Sequence, residues 1–260
     1  MTRSPGGVDT AHALEAATAA ARAAGEIALR YYRGSFDVTL KPDATPVTRA
    51  DREAERAIVE TLARAFPDHG FLGEEFGAQG SQEVRWIIDP IDGTKNFIRG
   101  VPVWATLIAL EEHGEITVGV VHNPATGDLA VARRGGSAFL NGRRIRVSEV
   151  RHLKEATLLH AGLGILREGG WWDGFVRLVD ATNRQRGPGD YLGYTLVAEG
   201  KAEIYAEADL KPWDLAPCKL IVEEAGGRFS DFAGNPTIYT GTALATNGRL
   251  HDEALALLRG

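Results

Sequence analysis

The feature that most constrains the fold is a series of short apolar segments separated by tight turns between residues 104 and 147. Two turns contain glycine, at residues 113–114 and 135–136, and Asn141-Gly142 is a pair that favours a two-residue hairpin. Strands joined by so few residues must reverse direction, so the series predicts an antiparallel sheet. The predicted strands cover residues 104–110, 116–122, 129–133, 138–140 and 144–147.

Helical patterns flank this series on both sides. Apolar residues at helical spacing predict a helix over residues 13–31, and Thr48 is a good N-cap for a second helix that Pro67 ends. Beyond about residue 150, strands and helices alternate, which is typical of an α/β arrangement. In this half the predicted strands are 157–160, 202–207, 228–231 and 243–245, and the predicted helices are 171–181, 192–198, 216–225 and 252–258.

We therefore predict two domains. Residues 1–149 form an α+β domain around the antiparallel sheet, and residues 150–260 form an α/β domain.

The charge composition of the chain disfavours one class of function. The net charge is −6 and there is no block of Lys or Arg, which disfavours binding to nucleic acid.

Apolar runs are too short to cross a bilayer, so we expect no membrane association. Cys218 is the only cysteine, which fits a reducing compartment because no intrachain disulfide can form. We expect a soluble, cytoplasmic protein.

Acidic residues follow a buried strand over residues 84–88, which runs directly into Asp89. Asp92 lies three residues further on, and Gly93 allows close approach of the backbone to an anion. Two carboxylates so close together repel each other unless a cation lies between them, and oxygen ligands suit Mg²⁺, Mn²⁺ or Ca²⁺. The alternative is a solvated acidic turn, since short acidic patterns are common.

Three more acidic residues extend this pattern. Glu74 lies in an apolar segment, and Asp214 precedes the apolar start of a helix, where it would also serve as an N-cap. Asp51 has capping-box spacing from Thr48, and a cap for its own helix is the alternative to a catalytic role. Together the carboxylates predict two or three metal ions that clamp a phosphate and activate a water. Thr94 would hold that water, with Glu74 or Asp51 completing its hydrogen bonds.

Five segments of the chain resemble the inositol monophosphatase family of metal-dependent sugar-type phosphatases. The two diagnostic stretches are WIIDPIDGTKNF at residues 86–97 and WDLAP at residues 213–217, and they occur in order at suitable distance. The other matching stretches are GEE at 73–75, FLNG at 139–142 and EAGG at 224–227. The resemblance covers nearly the whole length and implies a layered α-β-α-β-α sandwich and a homodimer.

The resemblance also implies roles for individual residues, matched by position. A first Mg²⁺ would be held by Glu74, Asp89 and the carbonyl of Ile91, and a second by Asp89, Asp92 and Asp214. Thr94 and Glu74 would handle the water, and Asp51 would be the partner of Thr94. Gly93 and Thr94 would contact the phosphate. Lys41 matches a basic residue of a mobile active-site loop, which predicts a lid over residues 41–48. Mn²⁺ is expected to replace Mg²⁺.

The substrate branch is indicated by residues in the second half. Arg186, followed by a Gly-Asp pair at Asp190 and an aromatic residue, resembles the histidinol-phosphate phosphatase branch, and Glu207 matches an acidic substrate contact. Histidinol phosphate carries an ammonium and an imidazole, which an acidic pair would bind. The branch commonly has a cysteine after Gly-Asp where this chain has Tyr191, and inositol 1-phosphate is the alternative substrate. Asp190 as a helix N-cap and Glu207 as a solvated charge are the alternatives without function.

Other classes of protein fit the sequence less well. All four expected metal ligands are present, which disfavours a catalytically silent binding or regulatory protein on this fold. The glycine pairs near residues 162–164 and 187–189 lack the third glycine of a dinucleotide fingerprint. No His-x-x-x-His pair suggests a zinc hydrolase. We therefore expect a phosphatase that acts on a small phosphorylated metabolite.

Overall fold

The computed structural model describes residues 7–32, 34, 38–40 and 46–260, and within these the chain forms eight α-helices and three β-sheets. The helices are α1 (Thr10–Tyr31), α2 (Arg49–Ala65), α3 (Thr94–Ile98), α4 (Leu163–Glu168), α5 (Trp172–Ala181), α6 (Asp190–Ala198), α7 (Pro212–Glu224) and α8 (His251–Arg259). None of the helices in these residues is long and apolar enough to cross a bilayer.

The largest sheet has eight strands in the order β10-β9-β8-β7-β6-β5-β3-β4, and most neighbours are antiparallel. Its strands are β3 (Gly70–Gly73), β4 (Gly77–Gln79), β5 (Val84–Asp92), β6 (Ala105–Glu112), β7 (Glu115–Asn123), β8 (Asp128–Arg133), β9 (Ala138–Leu140) and β10 (Arg143–Arg144). The antiparallel series predicted from the sequence is thus confirmed. The Asn141-Gly142 turn joins β9 to β10 with positive φ angles of 51° and 76°, as a two-residue hairpin of this type requires.

The second sheet has five strands in the order β12-β11-β13-β15-β14, and a two-stranded ribbon pairs β1 with β2. Parallel pairing of β11 with β12 and β13 reflects the alternation of strands and helices in this half. The strands are β1 (Val38–Leu40), β2 (Pro46–Thr48), β11 (Thr157–His160), β12 (Arg184–Arg186), β13 (Ile204–Ala208), β14 (Arg228–Ser230) and β15 (Thr242–Thr246).

The central strands of the large sheet are apolar on both faces because helices cover both. Trp86 and Ile88 of β5 pack with α1 and α2, whereas Ile87 faces the opposite side, where α6 and α7 lie. α7 approaches β7 closely at Gly119, where a Cβ would lie 3.1 Å from the Cα of Pro217. Every residue of α7 from Leu215 to Val222 is buried, as expected for a helix between two sheets.

The five-stranded sheet separates α6 and α7 from an outer helical layer. Tyr205 and Ala245 face the inner core, and Ile204 and Leu244 pack with α5 and α8 on the far side. The layers therefore run α-β-α-β-α, which confirms the predicted sandwich. The division into domains at residues 149 and 150 stays a prediction.

Several element boundaries differ from the sequence prediction, including the end of β10, the start of α7 and the end of β5. The strand expected at residues 144–147 ends at Arg144, because the chain turns away and the Val147 N–H donates to the Ala225 carbonyl at the end of α7, at 3.1 Å. α7 begins at Pro212, four residues early, since proline is favoured in the first turn. β5 runs to Asp92, four residues past the predicted end at residue 88, although its regular register with β6 breaks between Asp89 and Asp92. Lys41 and residues 42–45 of the predicted lid lie outside the described residues.

Candidate active site

A bulge in β5 brings the two aspartates of the first motif to the same face of the sheet. Asp89 pairs with Leu107 and Asp92 with Ala105, so three steps along β5 match two along β6. In a regular strand, residues three apart point to opposite faces, and the extra residue of a bulge cancels this difference. Both carboxylates therefore point toward α6 and α7. They are 2% and 8% exposed.

Hydrogen bonds from the backbone fix these two carboxylates. Asp89 accepts the N–H of Ile91 at 2.9 Å, and Asp92 accepts the N–H of Tyr191 at 2.8 Å. Because Tyr191 lies in the first turn of α6, Asp92 acts as a cap for a helix that belongs to the other half of the chain. Its carboxylate thus joins the two halves at the site.

Two further carboxylates complete the cluster. Asp214 is the third residue of α7, and its Oδ2 accepts the N–H of Lys211 at 2.7 Å, so it satisfies the start of its helix from within the first turn. One carboxylate oxygen from each of Asp89, Asp92 and Asp214 lies within 4.8 Å of the others. Glu74 follows β3 and its charge acts on Asp89 and Asp214. The three predicted aspartates are thus brought together, and Glu74 lies near enough for its charge to act on two of them.

The electrostatics of this cluster fit a bound cation. Burial, followed by the charge of Glu74, raises the pKa of Asp89 well above its usual range, and burial raises the pKa of Asp92 in the same way. The pKa of Asp214 is raised to about 7, again mainly by burial. Buried carboxylates that repel one another are stabilised by a divalent ion, and a donor set made of oxygen alone fits a hard cation rather than zinc.

The segment directly after Asp92 forms the short helix α3. Gly93 is its N-cap with a φ of 81°, and a Cβ there would lie 2.8 Å from the Val103 carbonyl oxygen, so only glycine fits. The Thr94 hydroxyl donates to the carbonyl of Ile91 at 3.0 Å. The first amides of a helix have no partner within it and attract anions. This turn is suited to hold a phosphate.

Asp51 does form the capping box that its spacing predicts. Its Oδ2 accepts both the N–H and the hydroxyl of Thr48, at 2.7 and 2.5 Å. The hydrogen bond to Thr94 that the resemblance implies is not among those of the described residues. Asp51 is 1% exposed, and burial raises its pKa to about 7. Its capping role is confirmed, and a catalytic role stays a prediction.

The two predicted specificity carboxylates lie beside Asp92, on which both charges act. Asp190 is not the N-cap of α6, because Gly189 holds that position and Asp190 is the first residue of the helix; its Oδ2 accepts the amide of Asn96 at 2.8 Å. Burial raises the pKa of Asp190 to about 6. The alternative of Asp190 as a helix N-cap is therefore wrong.

Glu207 is not a solvated charge either. It is 6% exposed and accepts the hydroxyl of Tyr194 at 2.9 Å. Burial, followed by the charge of Asp190, raises its pKa to about 8.

Arg186, the third predicted substrate residue, is not among the described partners of Asp190 and Glu207. It is exposed on the edge strand β12 and donates to the carbonyl of Gln185 at 2.7 Å. It lines a groove of about 370 Å³ with Arg184 and Lys201.

Sequence reasoning missed the residues that hold these carboxylates in place. Asn96 orients Asp190, Tyr194 binds Glu207, and Glu55 accepts two backbone N–H groups beside Glu74. Glu55 offered one signal, since it lies four residues after Asp51 on the same helical face. Asn96 and Tyr194 offered none, because their partners are 94 and 13 residues away in the sequence.

Comparison with known proteins agrees with this geometry. The model of the inositol monophosphatase family matches residues 9–260. The histidinol-phosphatase of Mycobacterium tuberculosis is 47% identical over 233 residues, covering 86% of this chain and 90% of that protein. The inositol-1-monophosphatase of Rhizobium meliloti is 42% identical over 208 residues, 77% of each chain. The crystal structure of the extragenic suppressor protein SuhB from Bartonella henselae superposes with a TM-score of 0.89 at 34% identity, covering 95% of this chain and 98% of that one.

The fold and the carboxylate cluster define a metal-dependent phosphatase, a hydrolase of phosphate monoesters. The extent of the family match makes the assignment more specific. The chain belongs to the inositol monophosphatase family.

Proposed function

We propose that this phosphatase is a Mg²⁺-dependent histidinol-phosphate phosphatase that serves histidine biosynthesis. The observation that carries the choice of substrate is the pair of carboxylates, Asp190 and Glu207, whose charges reach Asp92 at the metal cluster. In a substrate with a phosphate at one end and an ammonium at the other, the phosphate would bind at the metal cluster and the ammonium at these two carboxylates. The 47% identity to a histidinol-phosphatase supports the same choice.

The proposed metal ligands divide between two ions. Glu74, Asp89 and the carbonyl oxygen of Ile91 would hold the first, and Asp89, Asp92 and Asp214 would hold the second. A third ion would bind at the same cluster. When bound, the ions neutralise charge on the phosphoryl oxygens and lower the pKa of a coordinated water. Mn²⁺, which accepts the same oxygen ligands, is expected to substitute for Mg²⁺.

The residues of the chain then place the phosphate and the attacking water. The N–H groups of Gly93 and Thr94 bind the phosphate at the start of α3. The Thr94 hydroxyl donates to the carbonyl of Ile91, so its lone pairs remain to accept a hydrogen bond from the water. Glu74 accepts a hydrogen bond from the other O–H of the water and so aligns the water with the phosphorus. Asp51 is assigned to this arrangement as the partner of Thr94 through the family resemblance, and its Oδ2 is bound to Thr48.

The far end of the substrate is bound by the second half of the chain. Asp190, held by Asn96, receives the ammonium, and Glu207 is the second carboxylate at this end. The bound cation favours the ionised form of both groups, against the burial that raises their pKa values. Arg186 is assigned to the substrate through the resemblance, on the rim near β12. The carboxylates would be left unpaired by inositol 1-phosphate, whose body offers hydroxyl groups only, and a buried unpaired charge is costly.

We further propose that the enzyme acts as a cytoplasmic homodimer. The dimer follows from the family resemblance, and the single buried Cys218 fits a reducing compartment. Light scattering coupled to size-exclusion chromatography tests the dimer directly. A monomer at micromolar concentration with full activity would contradict it.

Phosphate release from a panel of substrates tests the function. We expect kcat/KM in Mg²⁺ to be highest for histidinol phosphate, lower for inositol 1-phosphate and lower again for glycerol 2-phosphate. Chelation should abolish all three activities, and Mg²⁺ or Mn²⁺ should restore them. A preference for inositol 1-phosphate would contradict the substrate assignment and favour the alternative substrate. The 42% identity to an inositol-1-monophosphatase supports that alternative.

A further inference from the structure

Glu55 is a buried carboxylate to which the roles above give no function. It lies on α2, one turn after Asp51, and is 1% exposed. Its Oε2 accepts the N–H of Glu75 at 2.8 Å, and its Oε1 accepts the N–H of Phe76 at 3.1 Å. These are the two residues that follow Glu74, so Glu55 binds the turn between β3 and β4 directly after the proposed metal ligand.

The same turn is held on its other side by β5. The N–H of Glu74 donates to the carbonyl of Ile88 at 3.1 Å, and Ile88 is the residue before Asp89. Three successive N–H groups are therefore bound, the first to the sheet and the next two to one carboxylate. This leaves the backbone of Glu74 little freedom relative to Asp89.

Gly73 shows how closely Glu55 packs against this segment. A Cβ at residue 73 would lie 1.8 Å from Oε1 of Glu55 and 2.6 Å from its Cδ. Real Cβ atoms do not come so near another heavy atom, so the carboxylate occupies the space that a side chain at residue 73 would need. Glycine there and glutamate at residue 55 are fitted to each other.

A carboxylate is well suited to this task. Buried N–H groups need acceptors, and hydrogen bonds to a charged acceptor are stronger than those to a neutral one. The two oxygens can accept both N–H groups at once. A glutamine would present an NH₂ group to one of them, since only its oxygen accepts.

We propose that Glu55 is a positioning residue for the metal site: it fixes the turn of residues 74–76 so that the Glu74 carboxylate reaches the ion it shares with Asp89. The inference rests on the proposed role of Glu74 as a metal ligand. Residues that orient metal ligands typically change metal affinity or activity by about 10–100-fold when they are replaced. Glu55 would act on the metal through Glu74 and would touch neither substrate nor water.

The test is the Mg²⁺ affinity of Glu55→Gln, measured by isothermal titration calorimetry and by the rise in Tm that Mg²⁺ causes. We expect the Kd for Mg²⁺ to increase about tenfold or more. At saturating Mg²⁺, kcat should fall while KM for the phosphate ester stays nearly constant, because the substrate contacts are intact. Glu55→Asp keeps the charge on a shorter side chain and should weaken Mg²⁺ binding less.

Glu224→Gln is the matched control. Glu224 also accepts two backbone N–H groups from another segment, those of Gly135 and Ser137 at 2.7 and 2.8 Å, at the opposite end of α7 from Asp214. It should lower Tm and leave the Kd for Mg²⁺ unchanged. A purely structural role of Glu55 would give the same result as this control.

An Mg²⁺ affinity of Glu55→Gln within twofold of the parent would overturn the proposal, whatever happens to Tm. If that variant does not fold by circular dichroism, the affinity of Glu55→Asp decides, and an unchanged value overturns it. Glu74→Gln separates the two levels of inference. If Glu74→Gln also binds Mg²⁺ normally, the assignment of the metal ligand has failed, and if it does not, only the positioning role has.

Discussion

The two ends of the active site hold their carboxylates in different ways. At the metal end, which consists of Asp89, Asp92 and Asp214, each carboxylate accepts a backbone N–H group. At the substrate end, the donors are neutral side chains, the Asn96 amide for Asp190 and the Tyr194 hydroxyl for Glu207. Both groups are desolvated, and both have raised pKa values.

The two ends differ in how much positive charge a bound ion or substrate must supply to balance their carboxylates. Three carboxylates with oxygens within 4.8 Å of each other repel strongly, and a divalent cation is the natural counterion. The substrate end has fewer charges, each already bound by a neutral donor, which suits a monovalent ammonium. The donors around the carboxylates therefore differ in the same way as the tasks that we propose for the two ends.

The largest expected effect is the loss of the metal end. Asp89→Asn should lower turnover by about 10²-fold or more, as losses of comparable electrostatic stabilisation do. The fold should remain intact, because one of several repelling charges is removed. Steady-state kinetics and circular dichroism measure both effects. Asp252→Asn, at a carboxylate 84% exposed on α8, is the control and should be silent. A variant within a few-fold of the parent would exclude a central role for Asp89.

The next effect tests the substrate end. Charge-assisted hydrogen bonds contribute ~1.5–3 kcal/mol, so Asp190→Ala should lower kcat/KM for histidinol phosphate by roughly 10–150-fold. Hydrolysis of glycerol 2-phosphate, which has no ammonium, should change little. Equal losses on both esters would mean that Asp190 supports the site as a whole, and the contrast between the two ends would then be lost.

A smaller effect is expected for Thr94, the residue that we propose holds the attacking water. If Thr94 orients the attacking water, Thr94→Ala removes one hydrogen bond and should lower kcat about tenfold. KM should stay nearly constant, because this contact matters in the transition state rather than in binding. Thr94→Ser keeps the hydroxyl and should retain most of the activity. A change confined to KM would assign Thr94 to substrate binding.

The smallest effect is a dependence of stability on pH in the metal-free protein. The pKa of Asp214 is about 7 in the folded chain against an ordinary value of 3.8, so the folded state binds more protons than the unfolded state between these values. This contribution is fully present below pH 4 and is lost as pH rises through 7. Mg²⁺ favours the ionised form, so the gap in Tm between Mg²⁺ and EDTA should widen by a few degrees from pH 5 to 8.

Scanning calorimetry at matched ionic strength measures this gap. Groups that titrate independently of the metal affect both samples equally and cancel in the difference. A gap that stays constant over this range would mean that the cluster is already ionised without metal. The metal end would then resemble the substrate end more closely than its contacts indicate.

How much of this could be predicted from the sequence depended on distance along the chain. The antiparallel strands, the N-cap at Thr48 and the pairing of Asp89 with Asp92 followed from local patterns, because turns, caps and strand alternation act over a few residues. The predicted end of β5 and the predicted start of α7 were wrong, because local patterns do not show how neighbouring segments extend an element. β5 continues past Pro90 because a bulge takes up Pro90 and Ile91 and pairing with β6 resumes at Asp92, which no local pattern indicates.

The sequence by itself determined the chemistry of this protein: which carboxylates, glycines and turns are available, and the family to which their order belongs. Only the tertiary structure decided which groups hold them. Asn96 reaches Asp190 across 94 residues, Asp92 caps a helix 99 residues away, and Glu55 fixes a turn 20 residues on. A buried carboxylate needs donors, and the donors come from whichever segments the packed layers place beside it.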